Sequence, residues 1–173
     1  RPDLRVVSTP AVPDGEVPAR RVSEFVTRND ALVAINGAFF NPFHSKHPLD
    51  YYPRSGDPVH PFGITMTDGV EFGPNRFHRA TVYFDDHGGV GLEELPDTRW
   101  AATGRTVLVA DGSVQPISSG RSRAPRTAIG YDGRDLVLVV VDGRQPGYSE
   151  GMRLDELAEQ LRELGERWAV EMD

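Results

Sequence analysis

The run from Leu136 to Val141 is the feature that most restricts the fold of this chain. It reads Leu-Val-Leu-Val-Val-Val and is rich in β-branched residues. A continuous apolar run of this length is typical of a strand buried on both faces. The run ends abruptly in Asp142-Gly143-Arg144. Because a buried strand is a rigid support, we expect a carboxylate and a guanidinium to be held at one edge of a sheet, where functional side chains are often placed.

A helix followed by a second strand is predicted after this run. Apolar residues recur at helical spacing on one face. They are Leu154, Leu157, Ala158, Leu161 and Leu164. Gly165 stands where a C-terminal cap is expected, and Trp168 to Met172 predicts the final strand. The last third of the chain therefore forms a strand–helix–strand unit.

Hairpins are predicted in much of the remaining sequence. The pairs Asp68-Gly69, Asp111-Gly112 and Asp132-Gly133 separate apolar runs and suit turns with positive φ. A short helix is expected at Val22 to Arg28, and a buried strand at Ala31 to Ile35. This pattern predicts an α+β fold in a single domain, with a mixed, largely antiparallel sheet and a few helices.

The segment from Asn41 to His60 is too long and too irregular for an ordinary turn, so we interpret it as a functional or mobile loop. It contains His44 and His47, with Asp50 and Asp57 nearby. These are metal-binding residue types, but their spacing is not a metal signature. No metal site is predicted.

Composition excludes several classes of function. The 173 residues carry a formal net charge of −7, which argues against nucleic acid as the main partner. No apolar run is long enough to span a membrane. The chain has no cysteine, so disulfides and thiolate metal sites are excluded. No phosphate-binding loop or dinucleotide fingerprint is present, and no cofactor is indicated.

Four polar residues lie at the ends of predicted buried strands, where they could converge. They are Asn36, Arg126, Asp142 and Asp173. Arg126 with Thr127 could clamp a phosphate, and Arg144 could add a second guanidinium. Asp142 and Asp173 could form the carboxylate pair that glycosidic cleavage often requires.

Structural interpretations of the same residues stay open. Asn36-Gly37 and Asp142-Gly143 are common turn sequences. Arg126 could pair with an acidic neighbour in a chain that has 26 acidic residues. Ser149 has no evident base partner, so a Ser-His-Asp triad is not indicated.

Several segments together resemble the phosphodiester glycosidase family in residue type, order and spacing. The segments are Ala34 to Phe40, Ala124 to Gly130, Val141 to Arg144, Gly147 to Met152, and the helix with its following strand up to Asp173. The resemblance extends over most of the chain, from about Val22 onward. It implies a phosphodiester glycosidase-like domain over residues 1–173. It also implies hydrolysis of a sugar 1-phosphodiester at the anomeric carbon, releasing a free sugar and a phosphomonoester.

The polar residues singled out above fit the reaction that the resemblance implies. Asp142, Asp173 and Arg126 would be catalytic, with the arginine stabilising charge on the departing phosphate. Substrate binding would fall to Asn36, Thr127, Arg144 and Ser149. Which carboxylate serves as nucleophile and which as base is left open. On this interpretation, replacing Arg126 by alanine lowers turnover and leaves the fold intact.

The substrate would be a phosphoglycan or another sugar phosphodiester, such as one of N-acetylglucosamine, in a surface or secreted glycan. A secreted or cell-surface location follows from that class of substrate. Two alternatives are a phosphodiesterase that breaks the P–O bond, and a non-catalytic module that binds anionic glycans.

The family pattern continues beyond the position of Asp173 with a Gly-rich, Ser-containing loop. We therefore expect the domain to be incomplete at its C-terminus. A further segment or a second chain would complete the fold after Asp173.

Overall fold

The computed structural model describes residues 5–10, 15–47, 50–73 and 80–173. The chain divides into two compact units, Arg1–Thr103 and Gly104–Asp173. Each unit contains one helix in its described part, together with several strands, and every strand pair assigned there is antiparallel. The predicted α+β class is confirmed. Neither described helix is long and apolar enough to cross a membrane.

The described part of the first unit contains three sheets and a short helix. Its elements are β1 (Val17–Pro18), α1 (Val22–Asn29), β2 (Phe40–Asn41), β3 (His44–His47), β4 (Asp50–Tyr52), β5 (Pro58–Pro61), β6 (Thr65–Thr67), β7 (Val70–Phe72), β8 (Thr81–Asp85), β9 (Val90–Gly91) and β10 (Thr98–Thr103). The sheet orders are β1-β5-β2, β7-β6-β10-β8-β9 and β3-β4. The β6–β7 turn has φ of 51° at Asp68 and 80° at Gly69, as the Asp-Gly pair predicts.

Two expectations for the first unit are wrong. The predicted buried strand at Ala31 to Ile35 is irregular, with Leu32 93% and Val33 64% exposed. An apolar run forms a buried strand only where a neighbouring strand pairs with it and a layer covers it, and neither condition is met here in the described residues. The expected loop from Asn41 to His60 instead contains β3 and β4, and contributes to β2 and β5. Residues 48–49 lie outside the described part.

The second unit is a five-stranded sheet with one helix packed on it. Its elements are β11 (Thr106–Ala110), β12 (Ser113–Val114), β13 (Arg126–Tyr131), β14 (Leu136–Val141), α2 (Leu154–Glu163) and β15 (Trp168–Glu171), and the sheet order is β12-β11-β15-β13-β14. Since β13 is antiparallel to both β14 and β15, these two strands run in the same direction. The helix α2 connects them, so the predicted strand–helix–strand unit is confirmed.

The core of this unit lies between α2 and the sheet. Four apolar residues of α2 are buried against residues of β11, β13 and β15. The helix residues are Leu154, Leu157, Ala158 and Leu161. The helix ends just before Gly165, whose φ of 93° permits the change of chain direction that the sequence predicted there.

The strand β14 differs from its prediction in one respect. The expected strand is present, but it is the edge strand of the sheet and not buried on both faces. Val139 and Val141 pack against the core cluster, whereas Val140 between them is 64% exposed. A β-branched run indicates a strand, but burial of both faces depends on what covers it.

A buried carboxylic acid lies at the junction between α2 and β15. Glu166 is 2% exposed, and its Oε2 atom has no hydrogen-bond partner in the described residues. It occupies the space above Gly130, where the Cβ atom of any larger residue would come within 2.8 Å of the Glu166 carboxyl carbon. Burial raises the pKa of Glu166 above its ordinary value of 4.5, and the negative charge of Asp132 raises this pKa further.

Glu166→Gln is expected to change how stability depends on pH. Because the folded state holds the Glu166 proton more tightly than the unfolded state does, the native protein loses stability as pH rises from 4.5 through the raised pKa. The variant lacks this loss, so its stability relative to that of the native protein increases as pH rises. Urea unfolding midpoints at pH 4 and pH 8 measure the effect, with the exposed Glu163→Gln as control. Equal pH dependence in all three proteins would contradict the assignment.

Candidate active site

Three strand ends meet at one end of the second sheet. Arg126 begins β13 and pairs with Val141 at the end of β14. Asp142 follows directly. The end of β15 lies on the other side of β13, where Ala128 pairs with Glu171. The fold therefore brings Arg126, Asp142 and the region of Asp173 to the same end of the sheet.

The chain leaves β15 through an irregularity in its pairing. The N–H groups of Met172 and Asp173 both donate to the carbonyl oxygen of Thr127, at 2.8 and 3.3 Å, and the Thr127 N–H donates to the Asp173 carbonyl at 2.8 Å. Two residues opposite one is the pattern of a β-bulge, a feature that redirects side chains and is frequent beside active sites. Met172 is fully buried, whereas Asp173 is exposed.

The loop that follows β14 holds Asp142 in place. The Ser149 hydroxyl donates to the main-chain carbonyl of Asp142 at 2.6 Å, and the Tyr148 hydroxyl donates to its Oδ2 atom at 3.4 Å. The Gln145 N–H donates to the Ser149 carbonyl at 2.9 Å, which closes the loop. Ser149 therefore contacts the backbone of Asp142, while the Asp142 carboxylate remains accessible beside the exposed Tyr148.

Two glycines allow this loop to lie against the segment before β13. A Cβ atom on Gly143 would come within 2.5 Å of the Pro125 nitrogen, and one on Gly151 within 2.3 Å of the Ala124 carbonyl oxygen. Side chains at these positions would therefore push the backbones apart. The Asp142-Gly143-Arg144 turn has its positive φ at Arg144, at 55°, and not at Gly143. Gly143 is thus required for close approach of the backbones.

Arg126 is buried and largely occupied by the protein itself. It is 8% exposed, and its Nη1 atom donates to Oε1 of the fully buried Glu171 at 3.0 Å. Its Nε donates to the Met152 carbonyl at 3.1 Å, and its Nη2 to the carbonyls of Ser122 at 3.0 Å and Gly120 at 3.4 Å. A guanidinium has five N–H donors, so this network leaves little of Arg126 for a ligand. Its phosphate contact stays a prediction.

The other predicted residues occupy different environments. Thr127 is buried in β13, and Arg144 is exposed on the loop. Asn36 belongs to the first unit, is half-buried and does not follow a strand. No group of three metal-ligating side chains occurs in the described part of the chain.

Two residues of this region were not proposed from the sequence. Glu171 is the buried partner of Arg126. The two residues are 45 positions apart in the sequence, so only the folded structure shows that they pair. Tyr148 is 74% exposed beside the Asp142 carboxylate. The sequence signal that could have indicated Tyr148 is its position in the Gly147 to Met152 segment, which is part of the family resemblance.

The fold and the site together define a class of protein. A helix-covered antiparallel sheet carries two accessible carboxylates and an exposed guanidinium towards one end, and carboxylates are the residue types that most enzymes cleaving glycosidic bonds use. Residues 29–173 match the family model described as "Phosphodiester glycosidase". Since the match covers most of the chain, the protein belongs to the phosphodiester glycosidase family.

A solved structure shares the fold. It is the zebrafish N-acetylglucosamine-1-phosphodiester alpha-N-acetylglucosaminidase catalytic domain, auto-inhibited by its pro-peptide. The TM-score is 0.53 at 19% sequence identity, over 66% of this chain and 46% of that one. The chain thus spans less than half of that structure's length. No curated protein matches the chain.

Arg126→Ala is expected to destabilise the protein, contrary to the expectation from sequence alone. Removing one partner of a buried ion pair typically costs about 3–5 kcal/mol of unfolding free energy, because the other charge stays buried. The matched control is Arg134→Ala, which breaks the exposed pair with Asp135 and should cost about 1 kcal/mol or less. Urea unfolding compares the two, and equally small losses would contradict the assigned role.

Gly143→Ala is expected to destabilise the second unit by about 1–3 kcal/mol, since the added methyl group overpacks a backbone contact. Gly37→Ala is the control, because a Cβ atom there meets nothing within 4 Å and its φ is not positive. Thermal unfolding measures both variants. A Gly143 variant as stable as the control would show that the two backbones separate freely.

Proposed function

We propose that the protein hydrolyses the glycosidic bond of a sugar 1-phosphodiester, in a surface or secreted glycan. Family membership gives the reaction class. The observation that carries the proposal is the meeting of the β13, β14 and β15 ends, which gathers Asp142 and Asp173 on either side of Arg126. Neighbouring strands are about 4.8 Å apart, so the ends of β14 and β15 flank the start of β13 with roughly 10 Å between their backbones.

This hydrolysis depends on carboxylates more than on a strong general acid. Water adds to the anomeric carbon, the bond from that carbon to the phosphate oxygen breaks, and the electron pair leaves with a phosphate that is already a weak base. One of the pair Asp142 and Asp173 would stabilise the oxocarbenium-like transition state or act as nucleophile. The other would accept the proton from water.

Positive charge for the departing phosphate would come from Arg144. Its side chain is exposed on the loop beside Asp142, and a guanidinium binds phosphate oxygens in a bidentate manner. Arg126 would have an indirect role, because it would hold in place the segments that surround the site. Thr127 and Ser149 would contribute through the main-chain positions of Asp173 and Asp142. Binding of a sugar hydroxyl or an acetamido group by Asn36 stays a prediction.

We further propose that a segment beyond Asp173, or a second chain, completes the site. The outer edge of β14 is unpaired in the described residues, and an unpaired edge is a place where another strand adds. The proposed substrates imply a secreted or cell-surface location.

Asp142→Asn is expected to reduce turnover about 100-fold or more, the usual size of an acid–base contribution, without lowering the unfolding midpoint. An NMR time course with a GlcNAc-1-phosphodiester follows both products, for this chain and for a version extended past Asp173. The control is Asp135→Asn, an exposed carboxylate at the opposite end of β14.

The products distinguish the alternatives. Free GlcNAc that depends on Asp142 supports the proposed reaction. GlcNAc-1-phosphate would mean P–O cleavage by a phosphodiesterase. Binding without any product, also in the extended version, would favour an anionic-glycan-binding module.

A further inference from the structure

A cleft of about 320 Å³ lies in the second unit and is not part of the site described above. It is lined by Ile117, Ser119, Arg121, Arg153 and Asp155. Ile117 also packs against the core cluster that includes the buried face of α2, so it is an apolar lining residue of the cleft anchored to the core. The cleft walls come from the segment before β13 and from the start of α2.

The segment Ser119 to Arg123, here called the arginine loop, is held from several sides. The Gly120 carbonyl accepts from the Leu154 N–H at 3.1 Å and from Arg126 Nη2 at 3.4 Å. The Ser122 carbonyl accepts from the same Nη2 atom at 3.0 Å. Arg123 donates to the Gly151 carbonyl at 3.1 Å and forms an ion pair with Glu156. Binding to a preorganised loop costs little ordering entropy.

The charges of the cleft leave one guanidinium uncompensated. Arg153 donates through Nε to Asp155 Oδ1 at 2.8 Å, and a second bond joins its Nη2 to Oδ2. This pairing lowers the pKa of Asp155, so the two charges offset each other near neutral pH. Arg121 has no partner among the described residues and is exposed. The cleft is therefore locally cationic, on a chain whose net charge is −7.

We propose that this cleft is an anion subsite that takes a phosphate group of a phosphate-containing glycan. Arg121 supplies a forked pair of donors, the geometry that suits phosphate oxygens. Ser119 adds a hydroxyl donor, and Ile117 gives an apolar surface for the face of a sugar ring. The inference rests on the proposed function for the class of ligand. The phosphate bound here is a different one from the diester that is cleaved beside Asp142.

The test is an ¹H–¹⁵N NMR titration of the protein with inorganic phosphate at constant ionic strength. We expect saturable shifts in the amides of Ser119, Arg121 and Arg153, and at least about fivefold weaker binding in Arg121→Gln, the loss of one charge-assisted contact. Arg134→Gln is the matched control, because it removes the same charge from an exposed position on the β13–β14 hairpin. Shifts that do not saturate, or equal weakening in both variants, would overturn the inference.

A second readout separates this inference from the proposed function. If the cleft binds a neighbouring phosphate, Arg121→Gln raises KM for a glycan with repeated phosphodiesters and leaves KM for a single GlcNAc-1-phosphodiester unchanged. If the protein binds phosphate through Arg121 but shows no turnover, the subsite is supported and the proposed reaction is contradicted. Phosphate shifts confined to the loop of Asp142 would overturn the subsite alone.

Discussion

The second unit depends on one buried ion pair between Arg126 and Glu171. The guanidinium ties the central strand β15 to the segment before β13 and to the approach to α2, through one carboxylate and three main-chain carbonyls. Charges are rarely buried this completely unless they are paired and hydrogen-bonded. Two of these carbonyls also accept from main-chain N–H groups, Gly120 from Leu154 and Met152 from Ala124, so the arginine reinforces segments that the main chain already joins. The pair therefore helps to set the geometry of the loops, and through them the geometry of the site.

The two glycines and the ion pair bring the same segments together by different physical means. Arg126 draws irregular segments together by offering donors, whereas Gly143 and Gly151 allow approach by offering no side chain. The result is a compact junction behind an accessible carboxylate. Such an arrangement suits catalysis, since a group that must act on a substrate is most effective when its supports cannot move.

Much of the second unit could be predicted because its signals are local. The β13–β14 hairpin, α2 and β15 follow from continuous apolar runs, helical periodicity and turn residues, and their observed bounds agree with the expected ones within a residue or two. The predictions failed where the burial of a segment depends on residues that are distant in the sequence. The run at Ala31 to Ile35 has strand-like residues but no neighbouring strand in the described part. The role of Arg126 could not be read from the sequence, because its acidic partner lies 45 positions away.

The bulge at the end of β15 has a consequence for how charge is distributed. In a regular strand, Asp173 would share a face with Ala169 and Glu171, and its carboxylate would point towards the same guanidinium. Two residues opposite Thr127 shift this alternation. Glu171 is thereby left as the carboxylate that neutralises Arg126 inside the protein, whereas Asp173, two positions later, reaches solvent. One extra residue in a strand thus divides two nearby acids between the interior and the surface.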